Sequence, residues 1–379
     1  MKSFLPNDIK DENRKIIYDI LLQHPELAKV EITEMTAMSF VTVSKIVGFF
    51  EEIGLLTATG ESREGSGGLG RKRSVYRFNE NGYVTIGIQL IGRTVTALLV
   101  NLQGRIIESY SVETRVPFYG DEFASVFEAI VTSMKEKAEE TGSEVLGIGI
   151  GVDGAINASK KTIRMRTNDN EERDYPYEPI IERLKAIADL PILLENDVNA
   201  STLAEFRQLE HEDGAEAPTD LVHIAVGDGI GAGIIIGKKL HRGYNASAGE
   251  LEYMCFDPAF RKTPSSVGWL ESRLGMESLL AAYDLQVPAE AEACEDYVAR
   301  HLALSMTSII SLLDIQRIII SGKTIGLFSE RIADRVREYV NQYTEWTPSI
   351  TVSSCVHATA LGVAILILQQ EMMKVISES

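Results

Sequence analysis

Glu195-Asn196-Asp197-Val198-Asn199-Ala200, then Gly227-Asp228-Gly229-Ile230-Gly231-Ala232-Gly233 and Ala248-Gly249-Glu250, decide how this chain reads. Asn and Asp favour the start of a helix, where a side-chain oxygen accepts an unpaired backbone N–H. A carboxylate accepts two hydroxyl hydrogens, and an amide both donates and accepts. The glycines that follow are the residue type of a tight turn or a close backbone approach.

Upstream of these motifs, Val84–Leu90, Thr94–Val100 and Arg105–Val112 read as three strands in a meander, and Phe123–Lys137 as a helix. Val145-Leu146-Gly147-Ile148-Gly149-Ile150-Gly151-Val152 is a continuous apolar run, the pattern of a strand buried on both faces. The same style returns at Leu221–Val226, Ile234–Ile236 and Arg317–Ser321, with helices between. Alternation of this kind predicts an α/β body. Two such series, before and after about residue 195, predict two lobes around a ligand-sized cleft.

The first 80 residues follow a different grammar. Asn13–Gln23 has helical apolar spacing and stops at His24-Pro25, because proline disfavours helix in the residue before it. A short helix is expected over about Val30–Met35. A third begins at the capping residue Ser39, buries Val43, Ile46, Val47 and Phe50, and ends at Gly54. Helix, short helix, turn and capped helix make a helix-turn-helix. Thr42 and Lys45 fall off the apolar stripe, where they can face a DNA groove. Leu55–Thr57 and Val75–Phe78 read as short strands around Gly65–Arg73, a glycine-rich wing that carries Arg71-Lys72-Arg73. Arginines on such an arm suit the negative potential of a minor groove. The DNA-binding candidates are therefore Ser39, Thr42, Lys45, Arg71, Lys72 and Arg73.

The net charge of −18 over 379 residues looks unfavourable for a DNA binder. However, residues 1–80 hold 11 Lys and Arg against 12 Asp and Glu, so nearly all the excess acid lies in the body. A near-neutral module with a few placed cations is then left to meet phosphate. Cys255, Cys294 and Cys355 are scattered, which argues against a disulfide framework and against a thiolate metal site. No apolar run reads as a membrane span or signal peptide, so a cytoplasmic location without membrane contact is expected.

In this order and spacing, the motifs resemble the ROK family of repressors and kinases, within the actin-like ATPase (ribonuclease H-like) superfamily. The resemblance covers roughly residues 84–370. With the N-terminal module included, the chain is similar to the family's repressors of sugar-utilisation genes, of the xylose and N-acetylglucosamine type. It implies a winged helix-turn-helix over residues 1–80, a first lobe over 81–195 and a second over 196–379, whose C-terminal helix packs back on the first. The resemblance also implies that Asn196, Asp197 and Glu250 bind sugar hydroxyls, joined by Asn168, by Glu271 of Gly268-Trp269-Leu270-Glu271, and by Tyr253 at a position where the family has histidine.

Three departures stand out. The family's first phosphate motif, Asp-Xaa-Gly-Gly-Thr, is replaced by Gln89-Leu90-Ile91-Gly92-Arg93, which loses a magnesium-binding carboxylate and adds bulk at Ile91. Asp228 stands where the family's second phosphate loop has threonine. Both changes oppose phosphoryl transfer, which depends on positioning and on neutralising charge. The family's zinc motif is also missing, with Tyr253 and Trp269 at two ligand positions, so no cofactor or metal is expected and the loop must be held by packing around Trp269 and Phe256.

The expected protein is a regulator, not an enzyme, that binds an operator in double-stranded DNA and a sugar or sugar phosphate. It is expected to assemble as a homodimer, a tetramer being the other assembly considered. Two alternatives stay open: a ROK-type sugar kinase with an added DNA-binding module, and a regulator that has lost its pocket and answers to a protein partner.

Overall fold

A computed structural model describes residues 6–63, 73–91, 94–114, 122–166, 172–263 and 266–377. The first elements are α1 (Pro6–Gln23), β1 (Glu26–Ala28), α2 (Lys29–Thr36), α3 (Phe40–Glu52), β2 (Leu56–Arg63) and β3 (Arg73–Phe78). Helix α1 begins about two turns before the periodic stretch and carries proline in its first turn, where no N–H is required. Ser39 caps α3 by accepting the Thr42 N–H at 3.1 Å, and Val43, Ile46, Val47 and Phe50 are all buried. Strands β2 and β3 pair antiparallel to Arg63–Arg73, and β1 adds to the other edge of β3. Three helices and the three-stranded β1-β3-β2 sheet therefore make up the N-terminal module, the arrangement expected of a winged helix.

The first lobe contains β4 (Tyr83–Ile91), β5 (Thr94–Asn101), β6 (Ile106–Glu113), α4 (Phe123–Glu140), β7 (Glu144–Val152), β8 (Ala155–Asn157), β9 (Thr162–Arg166), β10 (Glu172–Pro176), α5 (Glu178–Ala188) and β11 (Ile192–Asn196). Its sheet runs β11-β7-β4-β5-β6. The second lobe follows with α6 (Asp197–Asp213), β12 (Leu221–Val226), β13 (Ile230–Ile236), β14 (Lys239–Leu240), α7 (Trp269–Leu274), α8 (Met276–Ala282), α9 (Pro288–Leu313), β15 (Arg317–Ser321), α10 (Arg331–Tyr343), β16 (Ser349–Val352) and α11 (Ala358–Ser377). Its sheet runs β14-β13-β12-β15-β16. Both sheets share one plan: an antiparallel three-strand meander whose first strand then pairs parallel with the fourth, and the fourth with the fifth. The strand start expected at Ile234 moves to Ile230, so Gly231 and Gly233 belong to β13 and not to a loop.

Strand β7 shows why the pieces assemble. Ile148, Ile150 and Val152 face the core under α4 and α5. Gly147, Gly149 and Gly151 face the other way, beside Gly87 of β4. A Cβ on Gly149 would stand 2.2 Å from the Val363 carbonyl oxygen, and one on Gly87 1.9 Å from that of Ala360. The bare glycine face lets α11 lie directly on the sheet. Helix α11 in turn crosses α6 closely, since a Cβ on Gly362 would meet the Ala200 oxygen at 1.7 Å.

By length and composition α11 is apolar enough to cross a membrane, which the sequence reading did not register. Here its apolar residues are consumed by the two lobes and by the winged helix. Leu368, Met372 and Ile376 join Ile17, Leu21 and Phe50 in one core, and Arg14 Nη1 donates to the Ile376 carbonyl at 2.8 Å.

Candidate functional site

The C-terminal ends of the parallel strands open into a cavity of about 970 Å³ between the lobes. This is where open α/β sheets place ligands, because the loops that leave the strands diverge there. Asn196, Asp197, Glu250, Tyr253 and Glu271 all line it. Asn168, Arg71 and Lys72 lie outside the described residues, as do the side chains of Ile91 and Arg73.

Asn196 ends β11 and caps α6. Its Oδ1 accepts the Asn199 N–H at 3.0 Å, and its Nδ2 donates to the Gly154 carbonyl at 3.2 Å and to Asp197 Oδ1 at 3.1 Å. The cap therefore also orients Asp197, whose Oδ1 accepts the Val198 N–H at 2.9 Å. Burial first, then the Asp153 and Glu250 carboxylates, push the Asp197 pKa up to about 7. Asp153 is a site residue that sequence reading missed. The signal was present in Gly151-Val152-Asp153-Gly154, a carboxylate on the turn that ends a buried strand.

A raised carboxyl pKa has a defined effect on stability. The protonated form is favoured in the fold, so the Asp197 contribution is complete below the unfolded value of 3.8 and is lost as pH rises through about 7. Asp197→Asn should therefore melt above the wild type at pH 8, with the difference shrinking as pH falls toward 4. A thermal melt series across pH checks this, and equal melting temperatures at pH 8 would refute it.

The loop that carries Glu250 is tied to the same helix start. Buried Glu195 accepts Arg242 Nε at 2.9 Å through one oxygen and the Asn199 amide at 3.2 Å through the other. Gly249 adopts φ +90°, and a Cβ there would lie 1.8 Å from the Ala232 oxygen, so glycine is required beside β13. Glu271, on α7, is buried, whereas Glu250 and Tyr253 are exposed at the cavity wall.

The far end of the cavity holds the altered phosphate motifs. Gln89 Oε1 accepts the Ala360 N–H at 3.1 Å, capping the first turn of α11, and Gln89 Nε2 lies 3.4 Å from His357 Nδ1. Asp228 is ion-paired with Lys323, so its charge is partly offset, a partner that the sequence did not reveal. Gly227 and Gly229 close a tight turn through a 2.8 Å backbone bond.

At the degenerate zinc loop, Trp269 is buried, with its ring centroid 5.6 Å from that of Phe256 and 5.8 Å from that of His301. Among the described residues no His, Cys, Asp and Glu group suits a metal ion. Trp269→Ala should cost about 3–5 kcal/mol, the range for emptying a large aromatic site. Urea unfolding measures it, and a loss under about 1 kcal/mol would show that packing on Trp269 does not hold the loop.

On α3, Ser39 and Lys45 are exposed and Thr42 half-buried, its Oγ1 2.9 Å from Ser39 Oγ. Phe40 and Val41 are also exposed there, at 53% and 63%. Sequence reading gave neither a role, and exposed apolar side chains at the head of a helix are the kind that can meet thymine methyl groups.

Residues 85–268 match the sequence profile of the ROK family. A putative xylose repressor of Caldicellulosiruptor sp. (strain Rt8B.4) is 27% identical over 298 residues, covering 77% of this chain and 70% of that protein. A glucokinase of Streptomyces coelicolor is 30% identical over 177 residues, 46% of this chain and 50% of the glucokinase. A crystal structure of a ROK family transcriptional regulator, a homolog of the E. coli MLC protein, shares the fold with a TM-score of 0.77 at 17% identity, covering 98% of this chain and 100% of that one.

Proposed function

From a chain that carries a ROK family domain, we propose a sugar-responsive transcriptional repressor of carbohydrate-utilisation genes. The observation that carries this reading is the path of α11. At one end Thr359 Oγ1 donates to the Asp197 carbonyl at 3.2 Å, beside the cavity, and at the other the helix is packed into the winged helix. A ligand held by Asn196, Asp197, Glu250, Tyr253, Glu271 and Asn168 biases DNA affinity through its differential affinity for two domain arrangements. The protein acts in the cytoplasm as a homodimer on a near-palindromic operator, with half-sites about one helical turn apart. Ser39, Thr42 and Lys45 enter the major groove, and Arg71, Lys72 and Arg73 follow the wing.

Sites selected from a random duplex pool, then titrated by fluorescence anisotropy with and without sugars, test the reading. A sugar that changes operator affinity supports it, and specific DNA binding unmoved by every sugar counts against it. Lys45→Ala should weaken binding about evenly across sequences and lower the salt slope by about 1 if Lys45 meets phosphate. An unchanged slope would remove Lys45 from the interface.

A second reading, a sugar kinase with an added DNA-binding module, is favoured by Asp197 beside the Gly227–Gly229 turn and by the glucokinase similarity. Gln89, Ile91 and Asp228 oppose it: no carboxylate stands at position 89 to hold magnesium, and the Asp228–Lys323 pair occupies the phosphate end. ATP-dependent phosphorylation of any sugar by the purified chain would decide for the kinase. The open cavity argues against a third reading, in which the pocket is lost and a protein partner supplies the signal.

A further inference from the structure

Resting on the sugar-sensor reading, we infer that the cleft takes an uncharged sugar and rejects its phosphate esters. Among the described residues that line the cavity, the carboxylates of Asp153, Asp197, Asp228, Glu250, Glu252 and Glu271 face only two permanent cations, Arg164 and Lys323. Both cations are engaged: Arg164 Nε donates to Asp174 at 3.0 Å, and Lys323 is paired with Asp228. Phosphate recognition uses clustered Arg or Lys, or the free N–H groups of a helix start. Two long helices begin at this cavity, and side chains already occupy their first turns. Asn196 and Asp197 accept the Asn199 and Val198 N–H groups of α6, and Gln89 accepts the Ala360 N–H of α11. A dianionic ester would displace these caps or face the carboxylates directly, whereas neutral hydroxyls find acceptors throughout. Burial, and after it the Asp153 and Glu250 carboxylates, raises the Asp197 pKa.

The test is calorimetric titration of the full chain with aldopentoses, aldohexoses and their 2-acetamido forms, each beside its phosphate monoester. For the sugar that binds, its ester should bind at least about tenfold more weakly, a difference of about 1.4 kcal/mol. Exposed Asp228→Lys, which places a second cation beside Lys323 without touching the core, should raise the ratio of ester to parent affinity. An ester that binds the wild type as tightly as its parent, or more tightly, overturns this inference and leaves the sensor reading standing. Failure of every sugar and ester to bind at millimolar concentration overturns both.

Discussion

Asp197→Ala is expected to abolish the response to sugar while operator affinity stays within about twofold of the wild type. Asp197 sits where the Asn196 cap, the Glu250 loop and the head of α11 converge, and the ligand loses a central hydroxyl acceptor with it. Removing the partner of a buried hydrogen-bonding group costs about 1–3 kcal/mol, and more where charge is involved. A loss of that size weakens sugar binding roughly 5- to 150-fold, enough to remove the response at the wild-type sugar concentration. The fold survives, because the Asp197 carboxyl is buried and faces the Asp153 and Glu250 carboxylates, both of which disfavour its charge. Anisotropy titrations of one operator with and without sugar decide the matter. A variant that still responds at the wild-type sugar concentration would mean the ligand is held elsewhere, and one that no longer binds DNA would mean that Asp197 is structural.

The second large effect concerns the glycine face. Gly149→Val suits a strand by propensity, yet its Cβ would enter the Val363 backbone, which cannot step aside as a flexible side chain can. Helix α11 would lift from β4 and β7, uncovering a sheet face and loosening its contact with α6. We expect a loss of about 4 kcal/mol or more, a large part of the net stability of an ordinary domain. Ile148→Val, one residue away on the opposite face, should cost about 0.5–1.5 kcal/mol. Urea denaturation of both variants gives the comparison, and equal losses would show that the sheet adapts to a side chain at 149.

Much of this fold was legible because its signals are local. The Ser39 cap, the stripe Val43–Phe50 and the strand Val145–Val152 follow from spacing alone, and the structure has them. The alternate glycines at 147, 149 and 151 were visible too, and they mark a close approach. What approaches them is α11, about 200 residues later, and nothing in the local pattern names it.

The candidate site divides the same way. Asn196, Asp197, Glu250, Tyr253 and Glu271 were assigned by motif and do share one cavity. The Glu195–Arg242 and Asp228–Lys323 pairs were not, because they join residues 47 and 95 positions apart. Asp153 was overlooked because a lone acid in a turn is ordinarily hydrated and without a partner in the fold. Its proximity to Asp197 depends on the pairing of β7 with β11.

The path of α11 has a mechanical consequence. At 1.5 Å per residue its 20 residues reach about 30 Å, so a tilt of about 5° at the head moves the tail by about 2.5 Å. The tail is seated against α1 through Arg14 and in a core that also includes Leu102 and Leu146 of the first lobe, so such a displacement would be felt by the N-terminal module and the first lobe alike. The glycines beneath α11 bring its backbone into contact with β4 and β7, and Thr85 Oγ1 donates to the Ala364 carbonyl at 2.9 Å, so the helix is held along the sheet. The same bare surface that makes the sheet intolerant of a single methyl group thus seats a helix that runs from the cavity to the N-terminal module.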